Sequence, residues 1–202
     1  MQVFSTSGTF TLPGGITKLY IKSWGGGGGG SGVGNGAGGC SGTVYWYGGS
    51  GAGYVEGLID PAPASLSITV GTGGTAGVGA SAVCGTGTQT ADSNKGGDGT
   101  ATSVTGTAVT ITANGGKGAG CNQTFNAAPY PGGTGSGSGA SFTQYFAITG
   151  GTSLDQSGGG TFSFSGASYG GSPSGFGAAG AGGRQCAGNG SAGAPGAVIV
   201  TW

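Results

Sequence analysis

The chain has 202 residues, of which 57 are glycine, and five basic and five acidic residues give it no net charge. Unfolded chains combine low hydrophobicity with high net charge, so this composition, with three tryptophans, seven tyrosines and eight phenylalanines, indicates a packed protein. The balance of charges argues against nucleic-acid binding, and no apolar stretch of about 18 residues is present to cross a membrane. The N-terminal sequence MQVFSTSGTF lacks the pattern of a secretory signal.

Conventional β-strands are predicted mainly near the two ends of the chain. GTFTL (8–12) places Phe10 and Leu12 on one face, and LPGG (12–15) predicts a turn with Gly14 at positive φ. Alternating residues predict further strands at 17–24, 65–70 and 107–113, YVEGLID (54–60) predicts a weaker one, and the apolar residues of GAVIVTW (196–202) predict a terminal strand. A β-layer built from both ends would bring the termini together. Because no window has helical periodicity, almost no α-helix is expected.

Glycine tracts separate these strands, beginning with six consecutive glycines at 25–30. Ordering a glycine costs about 0.5–1 kcal/mol more than ordering an alanine, so the tracts must do something that only glycine can do. Extended left-handed helices with three residues per turn make no internal hydrogen bonds, and without Cβ atoms they can approach closely and bond to each other. We therefore expect an all-β or irregular fold, with terminal β-strands flanking a core of packed polyglycine II helices.

The whole chain is predicted to form one glycine-rich domain, because the tracts and strands alternate from end to end. The β-layer is assigned to about 1–24, 53–70 and 196–202. The polyglycine core and its loops are assigned to 25–52 and 71–195.

Four cysteines occur in four different glycine-rich zones, and they are candidates for two disulfides in one of three pairings: Cys40, Cys84, Cys121 and Cys186. The alternative is that they are small buried residues that stay reduced. The chain has no histidine and no CxxC pair, so no metal site is predicted. In GGDGT (96–100), Asp98 is interpreted as a turn residue, with calcium binding as the alternative.

Aromatic residues lie beside Asn, Gln, Ser and Thr in four stretches that are predicted to be loops: 43–49, 121–131, 140–149 and 160–170. The candidate receptor-binding residues are Tyr45, Trp46, Tyr47, Phe125, Tyr130, Phe142, Tyr145, Phe146 and Tyr169. Rigid rings with polar neighbours suit a surface for sugars or proteins; alternatively, they cover the edges of the glycine core. Without histidine and with scattered carboxylates, neither enzyme activity nor a cofactor is expected.

The opening sequence, QVFSTSGTFTLPGGITKLYIKSWGGGGGG, resembles the start of the glycine-rich domain of bacteriophage tail proteins, where an FTxPxGVTxVxVxxWGGGGGG segment is characteristic. GAGYVEGLIDPAPASLSITVGTGG (51–74), GGDGTATSV (96–104) and the closing GAPGAVIVTW (193–202) are similar to later segments of that family. The resemblance covers nearly the whole chain in order, except for about 121–170.

This resemblance implies a non-enzymatic tail-fibre or tail-tip adhesin, made in the host cytoplasm and carried on the virion. Such adhesins pack polyglycine II helices into a sandwich and bind a host-surface glycan or outer-membrane protein through distal loops. Other virion subunits are implied partners, whereas nucleic acid and membrane insertion are not. Trp24, residues 25–30 and Trp202 are implied to be structural. The alternatives are a tail or capsid decoration subunit and a cell-wall, silk-like or antifreeze protein.

Overall fold

The computed structural model of the chain describes residues 1–32, 45–46, 48–78, 95–122, 130–151, 175–182 and 189–202. For residues 45, 46, 121 and 122 it describes the backbone alone. This described part consists of β-strands and extended segments without an α-helix, which confirms the predicted all-β class. No helix in it is long and apolar enough to cross a membrane.

The strands form two antiparallel sheets of five strands each. The first sheet has the order β1 (Gln2–Phe4), β12 (Ala197–Thr201), β3 (Leu19–Trp24), β5 (Tyr54–Ile59) and β11 (Phe142–Ile148). The second has the order β10 (Gly135–Ser138), β8 (Val109–Ala113), β7 (Thr102–Gly106), β6 (Ser65–Thr69) and β2 (Gly8–Thr11). A separate pair is formed by β4 (Tyr45–Trp46) and β9 (Cys121–Asn122).

An apolar core is formed by the inward-facing residues of the two sheets. In β3, Leu19 and Ile21 are fully buried, whereas Tyr20 and Lys22 on the other face are half-buried, as expected for successive side chains of a strand. The largest fully buried side chains are Phe10, Leu19, Ile21, Ile59, Leu66, Ile68, Ile111, Val55, Val104, Val198 and Val200. Removing such surface from water stabilises the fold by about 25 cal/mol per Å², a contribution that glycine cannot make.

The predicted strands are confirmed, since β2, β3, β5, β6, β8 and β12 all lie within the predicted stretches. The chain ends also meet as predicted. Gln2 pairs with Val200, and the Trp202 ring packs against Phe10 with 5.5 Å between ring centroids.

The two-residue strands β4 and β9 lie within 43–49 and 121–131, where only loops are predicted, and β1 matches no predicted strand. Three further strands without a prediction, β7, β10 and β11, lie in the stretch 71–195 that is assigned to the glycine core and loops. The prediction of a loop at 140–149 is therefore wrong. β10 (GSGS) has no apolar side chain, and β11 is mostly exposed. Both form at sheet edges because a neighbouring strand pairs with their backbones, which alternation does not reveal.

The turn after β2 is shifted by one residue from its prediction. The Pro13 carbonyl accepts a hydrogen bond from the Ile16 N–H at 3.3 Å, so Pro13 is the first residue of the turn. Gly15 rather than Gly14 then occupies the third position, and its φ is 81°. This is the position of a type II turn that requires positive φ.

Extended glycine-rich segments without strand pairing lie side by side and constitute what we call the glycine bundle: residues 25–32, 48–53, 71–78, 95–100, 114–120, 130–134, 149–151, 177–182 and 189–196. Backbone N–H and C=O groups join neighbouring segments through hydrogen bonds of 2.8–3.1 Å. Most segments continue directly from a strand or lead directly into one, as residues 25–30 continue from β3. The two sheets therefore run on into the bundle.

Residues 25–30 lie at the centre of the glycine bundle. Their N–H groups donate in a repeating order to segments 48–53, 95–100 and 189–196, and the same acceptor segment returns after three residues. Their carbonyl groups accept, with the same repeat, from segments 114–120, 71–78 and 177–182. Six neighbours therefore surround this segment, and its backbone groups are paired with all of them.

The centre of the bundle has no room for a side chain. A Cβ atom on Gly28 would lie 2.0 Å from the carbonyl oxygen of Lys117, and one on Gly29 would lie 1.9 Å from that of Thr75. These neighbours are backbone atoms, which cannot rotate away. In segment 71–78, at the periphery of the bundle, every third residue is exposed: Thr72, Thr75 and Val78. Side chains therefore occur where a segment faces solvent.

Asp98 lies in an extended segment of the bundle, so its interpretation as a turn residue is wrong. Its carboxylate accepts hydrogen bonds from the Gly118 N–H and the Lys117 Nζ, both at 2.8 Å. Burial raises the pKa of Asp98, but these two hydrogen bonds, together with the charges of Lys117 and Lys95, hold that pKa below its ordinary value. Asp98 therefore joins two neighbouring glycine segments.

The junction between the sheets and the bundle depends on Thr102, whose side chain is fully buried and accepts a hydrogen bond from the Gly71 N–H at 2.9 Å. Thr102→Val keeps the shape but leaves this buried N–H unpaired. We expect the free energy of unfolding, measured by chemical denaturation, to fall by about 1–3 kcal/mol. Thr105→Val, at an exposed position of the same strand, should change it by less than about 0.5 kcal/mol. Equal effects of the two variants would contradict this role.

Candidate functional site

The glycine bundle has one end that is remote from the sheets. The chain enters and leaves the bundle several times at this end. Gly77 donates to Gly30, Gly190 donates to Gly77, and Gly49 donates to Gly180, so these positions lie at one level. We call this region the bundle end: residues 30–32, 48–49, 77–78, 95–96, 119–122, 130–131, 180–182 and 189–190, with β4. Four stretches of sequence begin and end there: 33–47, 79–94, 123–129 and 183–188.

Part of the predicted receptor-binding set lies at the bundle end. The backbones of Tyr45 and Trp46 pair with those of Asn122 and Cys121. Tyr130 begins segment 130–134 and is half-buried. Tyr47, Phe125 and Tyr169 lie outside the described residues, as do Cys40, Cys84 and Cys186.

The remaining predicted residues, Phe142, Tyr145 and Phe146, lie on β11 and not at the bundle end. The Phe142 ring packs against the hydrophobic core beside Gly57. Tyr145 and Phe146 are 49% and 59% exposed, and the Tyr145 ring lies 6.1 Å from that of Tyr20. The predicted set is therefore divided between two separate regions of the molecule.

A groove with a volume of about 610 Å³ crosses the outer face of the first sheet. One row of side chains crosses the groove from strand to strand. The strand register aligns its members on four adjacent strands: Ile199, Lys22, Glu56 and Phe146. We call this depression the sheet groove. Because all four residues are on paired strands, their spacing is set by the sheet itself.

Aromatic rings form the second row of the sheet groove. Trp24 lies opposite Tyr54 in the register, and their ring centroids are 4.9 Å apart at an angle of 44°. The Phe176 ring also packs against Trp24, with 5.7 Å between the ring centroids and an angle of 46°. Ile148, opposite Tyr54, closes the row. Tilted pairs at these distances are favourable ring contacts, so the floor is apolar and held in place.

Two charged side chains of opposite sign lie in this apolar setting. The Tyr54 hydroxyl donates a hydrogen bond to the Glu56 carboxylate, and Lys22 is the residue opposite Glu56 on β3. Burial raises the pKa of Glu56 and also that of Tyr54. The Lys22 ammonium lies 5.7 Å from the centroid of the Tyr20 ring. The groove thus combines an apolar floor with groups that can accept and donate hydrogen bonds.

The sequence prediction missed the sheet groove, although part of its signal was visible. Alternation in 17–24 places Lys22 and Trp24 on one face of a strand, and the same reasoning places Tyr54 and Glu56 together. The prediction lacked the pairing of β3 with β5, which aligns the two sets. Strand pairing over a separation of about 30 residues cannot be read from alternation.

Within the described ranges, no three Cys, Asp or Glu residues approach closely enough to hold a metal ion. Comparison with models of known protein families finds no match to this chain, and comparison with curated protein sequences finds none either. The functional argument therefore depends on the residues themselves.

Proposed function

We propose that the segments of the glycine bundle are polyglycine II helices packed around residues 25–30. Three features support this proposal: the repeat of three residues, the six hydrogen-bonded neighbours and the absence of space for Cβ atoms. The strands of the two sheets continue into most of these helices, so the order of the strands sets the order in which the helices enter the bundle.

We further propose that this protein is a non-enzymatic adhesin of the bacteriophage tail-fibre or tail-tip type. It attaches to the virion and binds a glycan or an outer-membrane protein on the host surface. The observation that carries this proposal is that the described residues flanking four stretches of sequence, 33–47, 79–94, 123–129 and 183–188, meet at the bundle end of a hydrogen-bonded scaffold. Binding residues occur disproportionately on segments that a rigid scaffold positions, because the scaffold limits the entropy lost on binding.

The proposed contact residues are the aromatic ones in and beside these four stretches of sequence, above all Tyr45, Trp46 and Tyr47. Tyrosine and tryptophan offer a large contact area with few rotatable bonds, which favours binding to sugar rings and to protein surfaces. The proposal assigns no catalysis, cofactor or nucleic-acid partner to the protein. Other virion subunits are its proposed attachment partners.

The test is binding of the purified chain to a panel of bacterial strains, with competition against phage adsorption. We expect binding to one strain or a few, and a loss of about tenfold or more in affinity when Tyr45, Trp46 and Tyr47 are all replaced by alanine. The melting temperature of this variant should match that of the wild type. Tyr145→Ala, at an exposed position away from the bundle end, is the matched control and should bind normally.

The same experiment separates the adhesin from the alternative of a tail or capsid decoration subunit. A decoration subunit would bind purified particles in many copies and would leave bacterial cells unbound. Cell binding that is unaffected by the triple replacement would contradict the bundle-end assignment.

A further inference from the structure

We propose that the sheet groove is a second binding site, which takes a neutral saccharide of one or two pyranose rings. This site lies on the first sheet and is separate from the bundle end. The proposal rests on described residues of the first sheet and on Phe176, none of which belongs to the bundle end, so it stands whether or not the bundle end binds cells.

The size and floor of the groove suit a sugar ring. A volume of about 610 Å³ lies within the range of about 300–1,000 Å³ that is usual for small-molecule sites. The rings of Tyr54 and Phe176 are each tilted against that of Trp24, and all three residues line the groove. A pyranose presents C–H groups on its faces and hydroxyl groups around its edge, so one face can pack on these rings.

The polar groups favour a saccharide over a purely apolar occupant. An ionised carboxylate has about four acceptor sites, and the Tyr54 hydroxyl uses one on Glu56. An apolar side chain or acyl chain would cover this carboxylate without supplying hydrogen-bond donors. Removing the carboxylate from water without such donors costs free energy. Sugar hydroxyls supply donors to Glu56 and acceptors for Lys22, both of which line the groove.

The charges indicate that the sugar is neutral. Lys22 and Glu56 are directly opposite each other in the register of β3 and β5, so their charges offset one another within the groove. An acidic sugar would meet the Glu56 carboxylate, and a basic one would meet the Lys22 ammonium. A neutral sugar can use both groups through its hydroxyls.

The groove is also formed before any ligand binds. Apart from Phe176, its side chains come from strands that pair in a continuous ladder from β12 to β11, and the Trp24 ring contacts both the Tyr54 and the Phe176 ring. Binding at such a site orders few additional side chains, which favours recognition of a weakly binding ligand such as a sugar.

The experiment is a titration of the full chain with four neutral disaccharides: maltose, cellobiose, lactose and N,N′-diacetylchitobiose. Saturation-transfer NMR and calorimetry are the readouts. We expect at least one of them to bind, with saturation concentrated on the C–H protons of one ring face. Glu56→Gln and Phe146→Ala should each weaken this binding by about tenfold or more. Phe146 is 59% exposed, so its replacement should leave the fold intact.

Tyr145→Ala is the control, because its position is adjacent to Phe146 on β11 while its ring packs with Tyr20. This variant should bind the disaccharide as the wild type does. Absence of binding for all four disaccharides would overturn the proposal, as would saccharide binding that survives both groove variants. Binding of an apolar dye that no disaccharide displaces would also overturn it and would indicate docking of an apolar partner.

Discussion

Gly28→Ala is expected to remove most of the stability of this protein, with a loss of about 4 kcal/mol or more in the free energy of unfolding. The new Cβ atom would lie 2.0 Å from the carbonyl oxygen of Lys117 and 2.4 Å from its carbonyl carbon. Both are backbone atoms, so relief requires segments 25–30 and 114–120 to move apart. That movement strains the bonds from the Gly28 N–H to the Ser50 carbonyl and from the Gly180 N–H to the Gly28 carbonyl.

The matched control is Gly14→Ala. An added Cβ at Gly14 meets no atom within 4 Å, and the residue is exposed. Because alanine restricts the unfolded chain, we expect stability to be unchanged or raised by up to about 1 kcal/mol. Thermal and urea unfolding of the two variants provide the measurement. If Gly28→Ala were tolerated as well as Gly14→Ala, the packed core of glycine backbones would be refuted.

Ile111→Ala is expected to reduce the free energy of unfolding by about 2–5 kcal/mol, which is usual for this truncation in a core. Ile111 is fully buried in β8, opposite Val104 of β7. β8 continues directly into segment 114–120, which bonds to the central residues 25–30. We therefore expect the sheets and the bundle to unfold together, because loosening β8 releases a neighbour of the bundle centre.

Amide hydrogen exchange at residues 26–30 tests this coupling. In Ile111→Ala, their opening free energy should fall by as much as the global stability does. Thr110→Ala, at the exposed neighbouring position, should cost less than about 1 kcal/mol and provides the control. A bundle whose exchange is unaffected by Ile111→Ala would show that the two parts unfold independently.

Strand prediction from the sequence worked where apolar and polar side chains alternate. It failed where pairing with a neighbouring backbone decides whether a segment forms a strand. The alternation in β3 and β6 arises because each strand buries one of its two faces, and the amino-acid sequence alone reveals it. β10 has only glycine and serine, so its place at the edge of the second sheet depends on pairing with β8. The one-residue error at Gly15 has a similar origin, because the hydrogen bond of Pro13 decides the turn position.

Prediction of the candidate sites was limited in the same way. Tyr145 and Phe146 were grouped with Trp46 because all three are aromatic residues between glycine tracts. In the fold they belong to different regions, since β11 pairs with β5 in the first sheet, whereas β4 pairs with β9 at the bundle end. The sheet groove needs residues from four strands, and their alignment exists only after the sheet has formed.

The sequence by itself determined which parts of this chain can bury side chains and which parts must do without them. Six glycines at 25–30 already indicated a place where no Cβ fits, since glycine is costly to order. Only the tertiary structure decided which glycine segments become neighbours. The hydrogen bonds between two glycine backbones are the same for any pair, so no side chain within them selects a partner. That selection comes from the sheets, whose strand order determines where each segment enters the bundle.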